Sequence, residues 1–204
     1  MDNYNFPTDD YSYNNMAAGT ALKDGKATEK TYQEEYKLVG YFGRINYNYQ
    51  GKYYLSASIR HEGSSKFGAD HKWGTFPAVS IGWNLKEESF LKNVNFLSFL
   101  KLRAGYGITG TIPGNPYLSL NTLDLGGYGY YGGQWTTLLR ASSNPNPDLR
   151  WEKKKETNIG LDFAFFNDRI SGSIDWYNRD TDDLIWDYTV SVPPYVKNTI
   201  TANA

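Results

Sequence analysis

Between Tyr36 and Leu85 the chain alternates apolar and polar side chains three times over, and that period of two confines it to sheet. Tyr41, Gly43, Ile45, Tyr47 and Tyr49 fall on one face of the first run, opposite Arg44, Asn46 and Asn48. After Gln50-Gly51-Lys52, Tyr53, Leu55, Ala57 and Ile59 oppose Ser56, Ser58, Arg60 and Glu62. A polar loop follows. Val79, Ile81, Trp83 and Leu85 then oppose Ser80, Gly82 and Asn84. Strands of about ten residues with one apolar and one polar face are the pattern of a transmembrane β-barrel.

The same reading predicts strands over 36–49, 52–62, 75–85, 98–108, 150–166 and 169–180. A seventh is expected near 184–192. Residues 1–35 read as a polar surface loop, 36–186 as the antiparallel segment, and 187–204 as a loop or the start of a further strand. Long loops are expected at 63–74 and 109–148, and a helical turn at Glu87–Leu91. Short and long connections alternate, so an up-and-down meander gathers the short turns at one end and the long loops at the other, as outer-membrane barrels do. Tyr47, Tyr49, Tyr53, Trp83 and Phe165 stand near the short-turn end, where an interfacial aromatic girdle belongs. The other architecture open to this pattern is a soluble sandwich, with the same aromatics inside its core. It corresponds to an all-β carbohydrate-binding or adhesion module.

Composition narrows the function. Only 40% of residues are hydrophobic, and no run approaches the length of a spanning helix, but a barrel strand needs neither. A net charge of −1 argues against a nucleic-acid partner, and without cysteine there is no disulfide or thiolate site. Met1-Asp2-Asn3-Tyr4 has no signal-peptide character, so an exported chain of this kind is expected to be a piece of something longer. No residue set supports catalysis. Ser80 lies in unbroken alternation rather than at a strand-to-helix elbow, and Gly63-Ser64-Ser65-Lys66 lacks P-loop spacing. His61 and His71 are separated by loop, and Asp180, Asp182 and Asp183 lack an EF-hand frame, so no metal or cofactor is expected.

Several runs occur in a telling order. They are Tyr41-Phe42-Gly43-Arg44-Ile45-Asn46-Tyr47, Ser58-Ile59-Arg60-His61-Glu62-Gly63-Ser64-Ser65-Lys66-Phe67-Gly68, and Trp73-Gly74-Thr75-Phe76-Pro77-Ala78. Lys101-Leu102-Arg103-Ala104-Gly105-Tyr106-Gly107 and Asn146-Pro147-Asp148-Leu149-Arg150-Trp151-Glu152 follow. Together they resemble the SusC/RagA-type TonB-dependent outer-membrane transporters over about residues 36–186. The resemblance implies an all-β section of a large plugged barrel in a Gram-negative outer membrane, with six to seven strands present and the plug absent. It also implies uptake of oligosaccharides or peptides, energy through TonB, a SusD-like lipoprotein partner, and no enzyme activity. The polar face, with Arg44, Arg60, Glu62, Lys101, Arg103, Asp162, Asp175 and Arg179, is expected to line the lumen. Tyr128, Tyr130, Tyr131 and Trp135, in the Gly/Tyr stretch, are the candidates for substrate or partner contact, since flat rings stack on sugars.

Overall fold

The computed structural model describes residues 34–204. The polar loop expected over 1–35 lies, but for its last two residues, outside the described residues.

Six strands form one antiparallel sheet: β1 (Leu38–Tyr49), β2 (Tyr53–Ser64), β3 (Trp73–Asn84), β4 (Leu97–Thr111), β7 (Glu152–Phe165) and β8 (Ile170–Asp182). Their order is β1-β2-β3-β4-β7-β8, so each strand lies beside its neighbour in the meander. Two hairpins leave this sheet. β5 (Leu123–Tyr131) pairs with β6 (Gln134–Ala141), and β9 (Ile185–Thr189) pairs with β10 (Thr199–Asn203).

The hairpins correct two expectations. The stretch 109–148 carries β5 and β6 rather than loop alone. Its alternation is hidden by Gly126, Gly127 and Gly129 and by an irregularity in pairing between Leu125 and Tyr128. The boundary placed at 186 cuts through β9, which lies inside the strand expected near 184–192, and the tail beyond it closes a hairpin with β10. A short 3-10 helix, Leu85–Glu87, precedes the turn expected at 87–91, where the N–H groups of Leu91 and Lys92 donate to the Glu88 carbonyl at 3.0 and 2.9 Å.

Register decides the faces. Tyr47, Leu55, Ile81, Ala104, Ile159 and Trp176 stand directly opposite one another across all six strands. Opposed residues share a face, so the apolar sides of six strands merge into one continuous surface. That surface is open: Ile45 is 73% exposed, Ile81 57% and Ile174 64%. A sandwich would have buried these side chains against a second sheet, so the soluble-module architecture does not hold for this sheet. Tyr47, Tyr49, Tyr53 and Trp83 form a stacked ladder at the short-turn end, with ring centres 6.3–6.5 Å apart. A second aromatic group, Tyr41 and His61 stacked on Trp73, marks the other end of the same face. Trp73 and Trp83 are ten residues apart. That spacing is about 33 Å along the strand, or about 25 Å of height at a tilt of about 40°. An outer-membrane barrel has an apolar band of about that height between its girdles.

The connector between β3 and β4 is held by Glu88. Its carboxylate accepts hydrogen bonds from the Tyr53 hydroxyl (2.6 Å) and the Trp83 indole (3.2 Å), and pairs with Lys52 (3.3 Å). The Tyr53 hydrogen bond, then that of Trp83, with Lys52 adding to them, holds Glu88 below the usual carboxylate range despite an opposing effect of desolvation. A carboxylate whose folded pKa is depressed stabilises the fold above its unfolded pKa of about 4.3. The contribution disappears as pH falls through the lower folded value. We expect the connector to become protease-sensitive only below about pH 4. Glu88→Gln should abolish that pH dependence, and an unchanged acid profile in the variant would remove Glu88 from the explanation.

Most of the buried apolar side chains sit at the long-loop end. Phe67, Phe76, Leu149 and Trp151 are each 3% exposed or less and form one cluster. Phe76 belongs to β3, while Phe67 lies in the β2–β3 loop and Leu149 and Trp151 just before β7. Two long loops are thereby fastened to the sheet and to each other. Gly68 permits the approach, its N–H donating to the Leu149 carbonyl at 3.0 Å. A Cβ at Gly68 would fall on the Pro147 carbonyl oxygen, which is backbone and cannot swing aside. Gly68→Ala should cost about 1–3 kcal/mol as an overpacked contact. The check is a lowered melting temperature together with proteolysis in the 142–151 segment.

Candidate functional site

The even-numbered positions of β1 and their partners form the second face, and the expected polar residues meet there. Arg44, Ser58, Ala78, Gly107, Glu156 and Arg179 make one row. Asn46, Ser56, Ser80, Gly105, Asn158 and Tyr177 make the next. The centre of the face is therefore floored by small residues. Two adjoining depressions of about 510 and 500 Å³ lie there, and Ser56, Ser80 and Asn158 line both.

The charges on this face are organised. Arg103 forks onto Asp162, with Nε–Oδ2 2.7 Å and Nη2–Oδ1 2.9 Å, and Nη2 also reaches Asp175 at 2.8 Å. The guanidinium lies across Gly160, where a Cβ would collide with it and with the Asp175 carboxylate. Three residues chosen from sequence thus form one network over two strand boundaries, with the bidentate geometry that suits Arg. Arg60 pairs with Glu62 at 3.0 Å and stands over the Phe76 ring. Arg179 pairs with Glu156 at 2.5 Å. Lys101 lies 4.5 Å from the centre of the Tyr54 ring. Arg44 shares its row with Arg179 and Glu156. These pairs are partly exposed, and each is worth at most about 1 kcal/mol, so their role is to shape the wall rather than to stabilise it. Glu156 and Tyr54 are not among the residues chosen from sequence, although the alternation that selects Asn158 and Asp162 places them on the same face.

The aromatic candidates lie away from this wall, on β5 and β6. Trp135 stands opposite Tyr130, with rings edge to face at 5.5 Å, and Tyr128 shares their face. Tyr131 points to the other side of the hairpin and is 84% exposed. Of the four, three share a surface and Tyr131 does not.

The ends of the strands sort the connections. Residues 50–52, 85–96 and 166–169 lie at one end, and the loops following β2, β4 and β8 lie at the other. At the loop end, the Asn144 side chain is bonded to the backbone of β10 and its approach. Its oxygen accepts from the N–H groups of Val196 and Lys197, and its nitrogen donates to the carbonyls of Lys197 and Thr199. Asn146 donates to the Thr201 carbonyl, and Asn203 exchanges bonds with the backbone of Arg150. Asp183 pairs with Arg150, and Asp182, at the end of β8, with Lys155, so these two acids serve local ion pairs. The Asn-Pro-Asn-Pro-Asp run, expected as part of the long loop 109–148, is a clamp on the last hairpin.

The family model for the TonB-dependent receptor-like β-barrel matches residues 1–204. The TonB-dependent receptor SusC of Bacteroides thetaiotaomicron is 46% identical over 169 residues, covering 79% of this chain and 17% of that protein. TonB-dependent receptor P3 of Formosa agariphila is 35% identical over 181 residues, 89% of this chain and 18% of that protein. Among solved structures, the RagAB peptide importer in its closed-closed state superposes with a TM-score of 0.75 at 29% identity, covering 83% of this chain and 18% of that chain. The chain therefore spans roughly a sixth of the curated relatives it matches.

Proposed function

The chain belongs to the TonB-dependent receptor-like β-barrel family, and from that premise we propose that it forms part of the wall of an importer for oligosaccharides or peptides. Receptors of this family are outer-membrane proteins of Gram-negative bacteria and not enzymes, and this chain is a section of such a barrel. The apolar face meets lipid. The polar face, with Arg44, Arg60, Glu62, Lys101, Arg103, Asp162, Asp175 and Arg179, lines the interior. Energy reaches the solute path through TonB, and a SusD-like lipoprotein covers the long-loop end. Tyr128, Tyr130 and Trp135 offer that partner or the solute a rigid aromatic surface, with Tyr131 reaching outward at the tip.

The observation that carries this reading is the register. Six strands place every chosen charge on one face and an apolar band on the other, with an aromatic group at each end of that band on β1–β3. Peptides stay beside oligosaccharides as solutes because one solved relative is a peptide importer.

Uptake assays test the reading. Cells expressing the full-length receptor should accumulate a labelled oligosaccharide or peptide, and a protonophore should collapse that accumulation. Entry that persists without the proton gradient would mean a passive pore and would overturn the proposal.

A further inference from the structure

A cleft of about 340 Å³ opens at the long-loop end, between the segment after β4 and the β9–β10 hairpin. Leu118 and Ile185 give it an apolar side, and Asn115, Asp187 and Thr201 supply polar groups. The Trp186 indole, 63% exposed, stands at its margin. Asp187 and Thr201 are directly opposed in the hairpin, and the Thr201 hydroxyl donates to the Asp187 carboxylate at 2.5 Å.

Both walls are anchored from behind. Lys66 is 5% exposed and its ammonium donates to the carbonyls of Pro113 (2.9 Å) and Gly114 (2.6 Å), fixing the first wall. The Ile185 N–H donates to the Glu152 carboxylate at 3.0 Å, and Asn146 and Asn203 hold the strand opposite. A cleft with fixed walls loses little entropy when it is filled, and its volume lies at the lower end of the range for small-molecule sites.

We propose that this cleft is a subsite for one ring of a neutral saccharide. A pyranose has an apolar C–H face and a rim of hydroxyls. Leu118 and Ile185 suit the face. A carboxylate, an amide and a hydroxyl suit the rim, since between them they both donate and accept. The lone carboxylate disfavours acidic sugars and peptide C-termini. The assignment rests on the import reading above and places solute contact on β9 and the 113–118 loop.

The test is calorimetry on the purified full-length receptor with maltoheptaose, cellohexaose, xylohexaose and mannohexaose, and with tetra-alanine as the peptide probe. At least one saccharide should bind. Asp187→Ala and Asn115→Ala should each weaken it by about tenfold. Asn115 is exposed on a loop, so its variant reports binding even if Asp187→Ala fails to fold. Saccharide binding unchanged in both variants overturns the subsite while leaving import intact. Binding of tetra-alanine alone, or of no probe, also overturns the saccharide assignment. Loss of energised uptake in the cell assay is the separate result that removes the import reading.

Discussion

Trp151→Ala should unfasten the long-loop end of the molecule at a cost of about 3–5 kcal/mol, the range for deleting a buried large aromatic. Trp151 is 3% exposed, and its ring lies 4.7 Å from that of Phe67 and 5.2 Å from that of Phe76, edge on to the latter. Its indole N–H donates to the Lys72 carbonyl at 2.9 Å. That carbonyl also accepts from the Ser64 N–H, so it keeps a partner when the indole is removed. The cost therefore comes chiefly from the cavity and the lost ring contacts. Trp151→Phe, which keeps most of the apolar volume, should cost less than half as much. Limited proteolysis of the detergent-solubilised receptor provides the check. Cuts should appear in the 65–72 and 142–151 segments while the strand signal in circular dichroism persists. Loops as resistant as those of the wild type would mean that Trp151 does not fasten them.

The second large effect separates the two faces of β3. Val79 lies on the apolar face, four residues from Trp83 and six from Trp73, near the middle of the band. Val79→Arg should cost about 2–4 kcal/mol, the depth-dependent cost of a cation on the lipid face near the bilayer midplane. Ser80 is its neighbour in sequence and lines the depressions on the other face. Ser80→Arg should cost less than about 1 kcal/mol, because a polar interior accepts a charge. Folding titrations into lipid vesicles give both values. Equal costs, or the reverse order, would invert the assignment of lipid and interior.

Much of this was legible in the amino-acid order, for a simple reason. A strand that faces lipid on one side and polar surroundings on the other must alternate, so Ile45, Val79 and Ile174 on one side and Arg103 and Asp162 on the other could be assigned from parity alone. The six main strands lie within a few residues of their predicted bounds. The β5–β6 hairpin was hidden because its glycines and its irregular pairing interrupt the period. The aromatic group at Tyr41, His61 and Trp73 was also missed, since its members come together only through the pairing of β1, β2 and β3.

The sequence by itself determined the six main strands, the identity of each face and the separation of short turns from long loops, because period two and turn chemistry are local. Only the tertiary structure decided which residues meet. Arg103 joins Asp162 and Asp175 from strands distant in the chain, Trp151 packs against Phe67 and Phe76, and Asn144 clamps a hairpin that begins about forty residues later. Such contacts depend on register between strands and on the path of long loops, and register is a property of pairs of segments that no single segment encodes.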